Sequence, residues 1–256
     1  MRTAMASSQS NRSSEHCIPQ EEDLWTSPDL LVLQLLCPLY QDKKLTKLVP
    51  ILLHKFQNKK PITKREIQHN VEPRHRRDFI PLFKAICECM CLAFGIDVQK
   101  VDSHSKKYVL LPILGLTYNG MLGDDLQSIS KINLLVVILI IIFWKGNHIS
   151  EVDLGEFLRR REMLPERKCF VIGEPWEFIK KDLVQLQYLE YRQVPHSDPA
   201  QYEFLWGPRT HAETSKMKVL EHLAKVNRRD PGSYTHLYAE ALREEQEAAH
   251  SCAMGQ

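Results

Sequence analysis

Three cysteines spaced two apart, Cys87, Cys89 and Cys91, are the densest group of side chains in this sequence that could bind a metal or attack an electrophile. Their spacing argues against a metal site. On a helix Cys87 and Cys91 share a face while Cys89 points away, and none of the seven cysteines (Cys17, Cys37, Cys87, Cys89, Cys91, Cys169, Cys252) forms a CxxC pair. An odd number without that pair fits neither a disulfide framework nor a zinc ribbon, finger or RING, so reduced, inert thiols are expected. The second group is basic. Between Lys55 and Arg77 lie eight Lys or Arg and two Glu, including the cluster RHRR at Arg74 to Arg77, a composition that could contact phosphates or simply face solvent. No P-loop, GxGxxG after a strand, GxSxG or HExxH occurs. The expectation is therefore a protein without catalytic residues, metal or cofactor.

The elements that must position these residues begin with composition. Apolar residues make up 43% of the 256-residue chain and charged residues 26%, and a net charge of +2 gives no whole-chain attraction to nucleic acid or anionic lipid. The N-terminal MRTAMASSQSNRSSEHC has no apolar core of signal-peptide length, which predicts the cytoplasm or nucleus. The eleven consecutive apolar residues from Leu134 to Trp144 fall short of the roughly 20 needed to span a bilayer, so no membrane is expected. Residues 1–44 read as a mostly flexible arm. Within it LLVLQLLC, Leu30 to Cys37, lies between Pro28 and Pro38 and is either a docking helix or a partner-binding segment.

From Leu45 the periodicity is helical, with Leu45, Leu48, Val49, Leu52 and Phe56 on one stripe. A second helix opens at Thr63, where Thr63 and Glu66 form a capping box. A third runs from about Phe79 along Phe79, Leu82, Phe83, Ile86, Met90 and Phe94. Strands at Val98 to Val101 and Tyr108 to Leu111 then flank a polar turn. The same order recurs 87 residues later. Leu48, Val49, Ile51, Leu52 and Phe56 meet Leu135, Val136, Ile138, Leu139 and Phe143, and the Thr63, Glu66 cap meets Ser150 and Asp153. Helices at about 130–144, 150–160 and 174–186 precede strands at Leu189 to Val194 and Tyr202 to Trp206. The expected fold is mainly α with small β-hairpins (α+β): tandem winged-helix modules at 45–118 and 130–207. A C-terminal helix at 208–228 packs on the second module, and 229–256 is an acidic, partly disordered tail.

A winged helix raises the question of DNA. Base readout needs Arg, Lys, Asn or Gln on the outer face of the third helix, but that face offers Lys84, Glu88 and cysteines in the first copy and Glu177, Lys180, Lys181 and Asp182 in the second. Nucleic acid is the less favoured partner, with Arg74, Arg76 and Arg77 as its patch. The first helix favours protein contact. Its core arc holds Leu45, Leu48, Val49, Leu52 and Phe56, while Leu53 lies at the edge and Ile51 outside. Ile51 and Leu53 either pack on the other copy or the N-terminal arm, or form a partner-binding patch.

The strings LVPILLHKFQNKKPITKREI, FGIDVQKVD, YVLLPILGLTYNGMLGD and DLVQLQYLEYRQVPHSDPAQYEFLWGPRTHAETSKMKVLEHLAKVN resemble the melanoma-antigen (MAGE) homology domain, and the last is most similar to its B branch. The resemblance runs from about Leu45 to Asn227. It implies tandem winged helices acting as a scaffold that binds a RING-type E3 ubiquitin ligase, enhances or redirects ubiquitin transfer and recruits a substrate. The family's ligase-binding dileucine falls on Leu52 and Leu53. Where relatives carry a Trp in the second helix of the second module, this sequence has Leu154-Gly155, and a mid-helix Gly costs about 1 kcal/mol relative to Ala.

Overall fold

The computed structural model describes residues 43–71, 79–102, 104–118, 126–162 and 175–254. The first unit is built from α1 (Lys43–Gln57), β1 (Ile62–Thr63), α2 (Lys64–His69), α3 (Phe79–Phe94), β2 (Ile96–Lys100) and β3 (Lys107–Pro112). The second repeats the order with α4 (Leu126–Trp144), β4 (His148–Ser150), α5 (Glu151–Glu162), α6 (Pro175–Glu177, running on as a π-helical turn over Phe178–Leu183), β5 (Leu189–Gln193) and β6 (Tyr202–Trp206). This is the winged-helix topology twice over, mainly helical with two small antiparallel sheets.

The caps start both second helices as expected. Thr63 accepts from the Glu66 N–H at 3.1 Å and its own N–H donates to Glu66 Oε2 at 2.7 Å. Ser150 likewise accepts from the Asp153 N–H at 3.0 Å. What the periodicity does not reveal is the short strand just before each cap. β1 joins its hairpin through Ile62 opposite Tyr108, and β4 joins through Ile149 opposite Phe204, giving sheet orders β1-β3-β2 and β4-β6-β5. The 87-residue repeat places Ile62 on Ile149, and both are buried. A two- or three-residue strand is too short to show alternation, so the signal was there only as a matched isoleucine.

α4 explains the apolar run. Every residue from Leu134 to Phe143 is buried, because the helix packs on α3 of the first unit and on β4, β6 and a C-terminal helix, α8 (Lys216–Asn227). A helix that is apolar all round is stable only when covered on all sides. Among the described residues no helix is long and apolar enough to cross a membrane.

The C-terminal region departs from expectation twice. The single helix expected over 208–228 is two, α7 (Pro208–Glu213) and α8, separated by Thr214 in extended conformation. Pro208 opens the first, and the Ser215 side chain accepts from the Lys218 N–H to open the second. The region expected as a partly disordered tail instead holds α9 (Thr235–Met254). Its acidic outer face suggested a tail, but Ala241 and half-buried Leu237 give it an inner face on α8. Lys216 bonds Glu240 at 2.6 Å and Glu244 at 3.1 Å, and the Trp144 and Tyr234 rings meet edge-on at 5.6 Å just ahead of it.

Candidate functional site

α1 is a helix with more apolar surface than one wall can cover. Leu52 and Leu53 are 1% and 2% exposed, and Leu48 and Val49 are also buried. Neighbours along a helix point about 100° apart, so Leu52 and Leu53 reach the core from different sides, and α1 is gripped by both α3 and β3. Ile51 is half-buried and packs at the margin of the same core. The placement of Leu52 agrees with the helical wheel; the wheel put Leu53 at the edge, and the fold buries it. Pro50 sits inside the helix, where it has no N–H to give the carbonyl one turn earlier and loosens the turn leading to Ile51. His54 is exposed beside this face.

Below α1 the ends of the helices meet an apolar cleft between the two units. Phe56, Phe94, Leu114, Leu116, Tyr118 and Ile132 are among the side chains that line it. Gly95 turns the chain from α3 into β2 at φ +63°, and a Cβ there would lie 2.8 Å from Leu114. A side chain at this position would be both strained and obstructed.

The outer face of α6 carries cations that are already engaged. In α6, Lys181 pairs with Glu177 at 3.1 Å. Lys180 bonds Glu151, which also accepts from the Tyr191 hydroxyl. Burial opposes ionisation of Glu151, but the bonds from Lys180 and Tyr191 outweigh it and hold the carboxyl below its ordinary value. In α3, Lys84 and Glu88 are exposed, and Glu88 lies 3.6 Å from Arg228. Lys55, the first cation of the basic segment, bonds Glu66 at 2.7 Å. That bond, followed by those from Thr63, holds Glu66 down to about 2. Arg74, Arg76 and Arg77 lie outside the described residues, as does the 30–37 segment.

The cysteines are placed for packing. Cys91 is buried, and Cys87 and Cys89 are half-buried. Burial, reinforced by Asp97, pushes the Cys87 thiol up to about 11, and burial beside Glu88 pushes Cys89 up to about 12. Both are protonated at neutral pH, whereas the thiolate is the form that attacks or ligates. Among the described residues no group of three or more His, Cys, Asp or Glu could hold a metal ion.

Sequence reasoning missed several polar and aromatic relationships. Asn133 and His222 are buried polar residues set among apolar ones, and Glu213 ties the two units together. Gly155 makes room for Trp176, whose ring would lie 3.0 Å from an added Cβ. Only Asn133, an isolated polar residue between Ile132 and the start of the apolar run, carried a visible signal.

Residues 48–217 match the family profile described as the MAGE homology domain. Human relatives include melanoma-associated antigen 10 (49% identical, 81% of this chain and 56% of the relative), antigen 11 (45%, 89% and 53%) and antigen B3 (44%, 82% and 61%). The chain therefore spans a little over half the length of these curated relatives. A solved structure of the Nse1-Nse3-Nse4 complex contains a chain 36% identical to it, with a TM-score of 0.43, covering 78% of this chain and 96% of that one. With its tandem winged helices and a family match over most of its length, the chain belongs to the MAGE homology domain family.

Proposed function

We propose that this chain is a non-catalytic adaptor. It binds a RING-type E3 ubiquitin ligase through the first winged helix, enhances or redirects ubiquitin transfer, and holds the substrate on other surfaces, in the cytoplasm or nucleus. Family membership supports the adaptor role, and the observation that carries the choice of surface is α1, whose apolar face extends past the buried leucines to half-buried Ile51 at the margin of the core. Because Leu52 and Leu53 are buried in this arrangement, their part is to hold α1 in place and to join the contact if the partner shifts the helix, while Ile51 meets the partner directly.

Affinity purification of the full chain followed by mass spectrometry identifies the ligase, and Ile51→Asp tests the surface. The expected result is recovery of a RING protein by the parent chain and its loss with Ile51→Asp, while the variant still melts in a single cooperative transition. Retention of the ligase by a folded Ile51→Asp variant removes this surface from the reading. Binding to duplex DNA at physiological salt in a gel shift, weakened by neutralising Arg74, Arg76 and Arg77, would instead favour the nucleic-acid alternative.

A further inference from the structure

The connector 113–118 leaves β3 for the second unit, and one carboxylate on α7 holds it. Glu213 Oε2 accepts from the Thr117 backbone N–H at 2.8 Å and from the Tyr188 hydroxyl at 2.8 Å. Oε1 accepts from Arg209 Nε at 2.8 Å and from the Thr117 hydroxyl. Arg209 Nη2 also donates to Thr117 Oγ1 at 3.1 Å, and its guanidinium stacks 4.5 Å from the Tyr188 ring centroid. The backbone closes the knot: Gly115, at φ +77°, lies so near the Glu213 carbonyl that a Cβ would fall 2.3 Å from its oxygen. One residue after Thr117, Tyr118 is buried with its ring edge-on to Phe178 and Tyr188, each 6.0 Å away.

Two other side chains of the same short connector, Leu114 and Leu116, line the apolar cleft together with Ile132 and Leu135 of α4 and Phe56 and Phe94 of the first unit. We propose that Glu213 is a latch that fixes the connector and thereby sets the width of this cleft. The knot is polar and lies near the surface, with the Arg209 side chain 31% and the Glu213 side chain 15% exposed. It can open while the apolar contacts of α4 stay made. This holds whatever partner engages α1.

Hydrogen exchange read by mass spectrometry on the full chain tests the latch. Glu213→Gln keeps the size of the side chain but removes its charge and part of its accepting capacity; Thr117→Val removes only the connector's hydroxyl. The expected result is exchange about tenfold faster over 113–118 in Glu213→Gln, a smaller rise in Thr117→Val, and unchanged protection in α4 and α8. Unchanged exchange over 113–118 in both variants overturns the proposal. So does a rise that spreads equally through α4 and α8, since Glu213 would then support the whole fold and not the connector.

Discussion

The side-chain amide of Asn133 donates to the Ala93 carbonyl at 2.8 Å, so the first helix of the second unit caps the third helix of the first. The last carbonyls of α3 have no partners within the helix. The Gly95 N–H takes that of Cys91 at 3.0 Å, and Asn133 takes that of Ala93. The buried His222 ring faces the backbone of Leu92, between them. Apolar packing alone would let α3 and α4 slide; a directional bond to a chain end fixes their register.

Asn133→Ala leaves the Ala93 carbonyl buried and unpaired, which costs about 1–3 kcal/mol. In urea the midpoint should fall while the slope stays constant, as for one cooperative unit. A change below about 0.5 kcal/mol would show that water or a small shift satisfies the carbonyl just as well.

His222 makes stability depend on pH. The residue is 2% exposed, neither ring nitrogen has a well-formed hydrogen bond, and burial, only partly offset by the Leu92 backbone, drives its pKa down to about 4. The unfolded chain takes up this proton below about 6.5 whereas the native chain does not until about 4, so stability falls as the pH drops through that window. Each unit is worth about 1.4 kcal/mol, so roughly 3 kcal/mol is at stake. Denaturation at pH 7 and pH 4.5 should show the loss in the parent chain and a much smaller one in His222→Gln. Equal losses in both would assign the acid sensitivity elsewhere.

Gly155→Ala should not bring the usual gain in helix propensity. Trp176 stacks on Phe204 with ring centroids 6.2 Å apart and has Lys180 Nζ 5.5 Å from its ring centroid, so it cannot yield freely to a Cβ 3.0 Å away. The expected outcome is a loss of about 1 kcal/mol with a shift in tryptophan emission. A more stable variant would mean that the ring moves at little cost.

Elements with a long apolar stripe were legible in the sequence. The Phe79 to Phe94 stripe, the matched caps at Thr63 and Ser150, and the all-apolar α4 each follow from local rules that tertiary structure had no reason to override. What escaped depended on contacts between distant segments. Glu213 and Thr117 lie 96 residues apart, and nothing in either neighbourhood marks them as partners. β1 and β4 are too short for periodicity, and α9 hides its inner face behind glutamates that its salt bridges require. The same limit applies at α1: a wheel assigns one core direction, whereas this helix is enclosed by α3 and β3.

That enclosure decides how the dileucine should be tested. Leu52 and Leu53 are nearly inaccessible, and truncating a buried Leu to Ala costs about 2–5 kcal/mol, a large share of the 5–15 kcal/mol typical of a domain. The variant Leu52→Ala with Leu53→Ala should therefore lower the thermal midpoint by at least about 10 °C, and any loss of partner binding would mix a damaged surface with a damaged helix. Leu53→Met keeps the volume and should cost under about 1.5 kcal/mol. If partner binding tracks stability across the alanine and methionine variants but drops in Ile51→Asp by more than its change in midpoint accounts for, contact lies at Ile51 and the leucines act through the fold. If Leu53→Met abolishes binding while the melt is unchanged, the leucine itself is touched by the partner, and α1 must move to expose it.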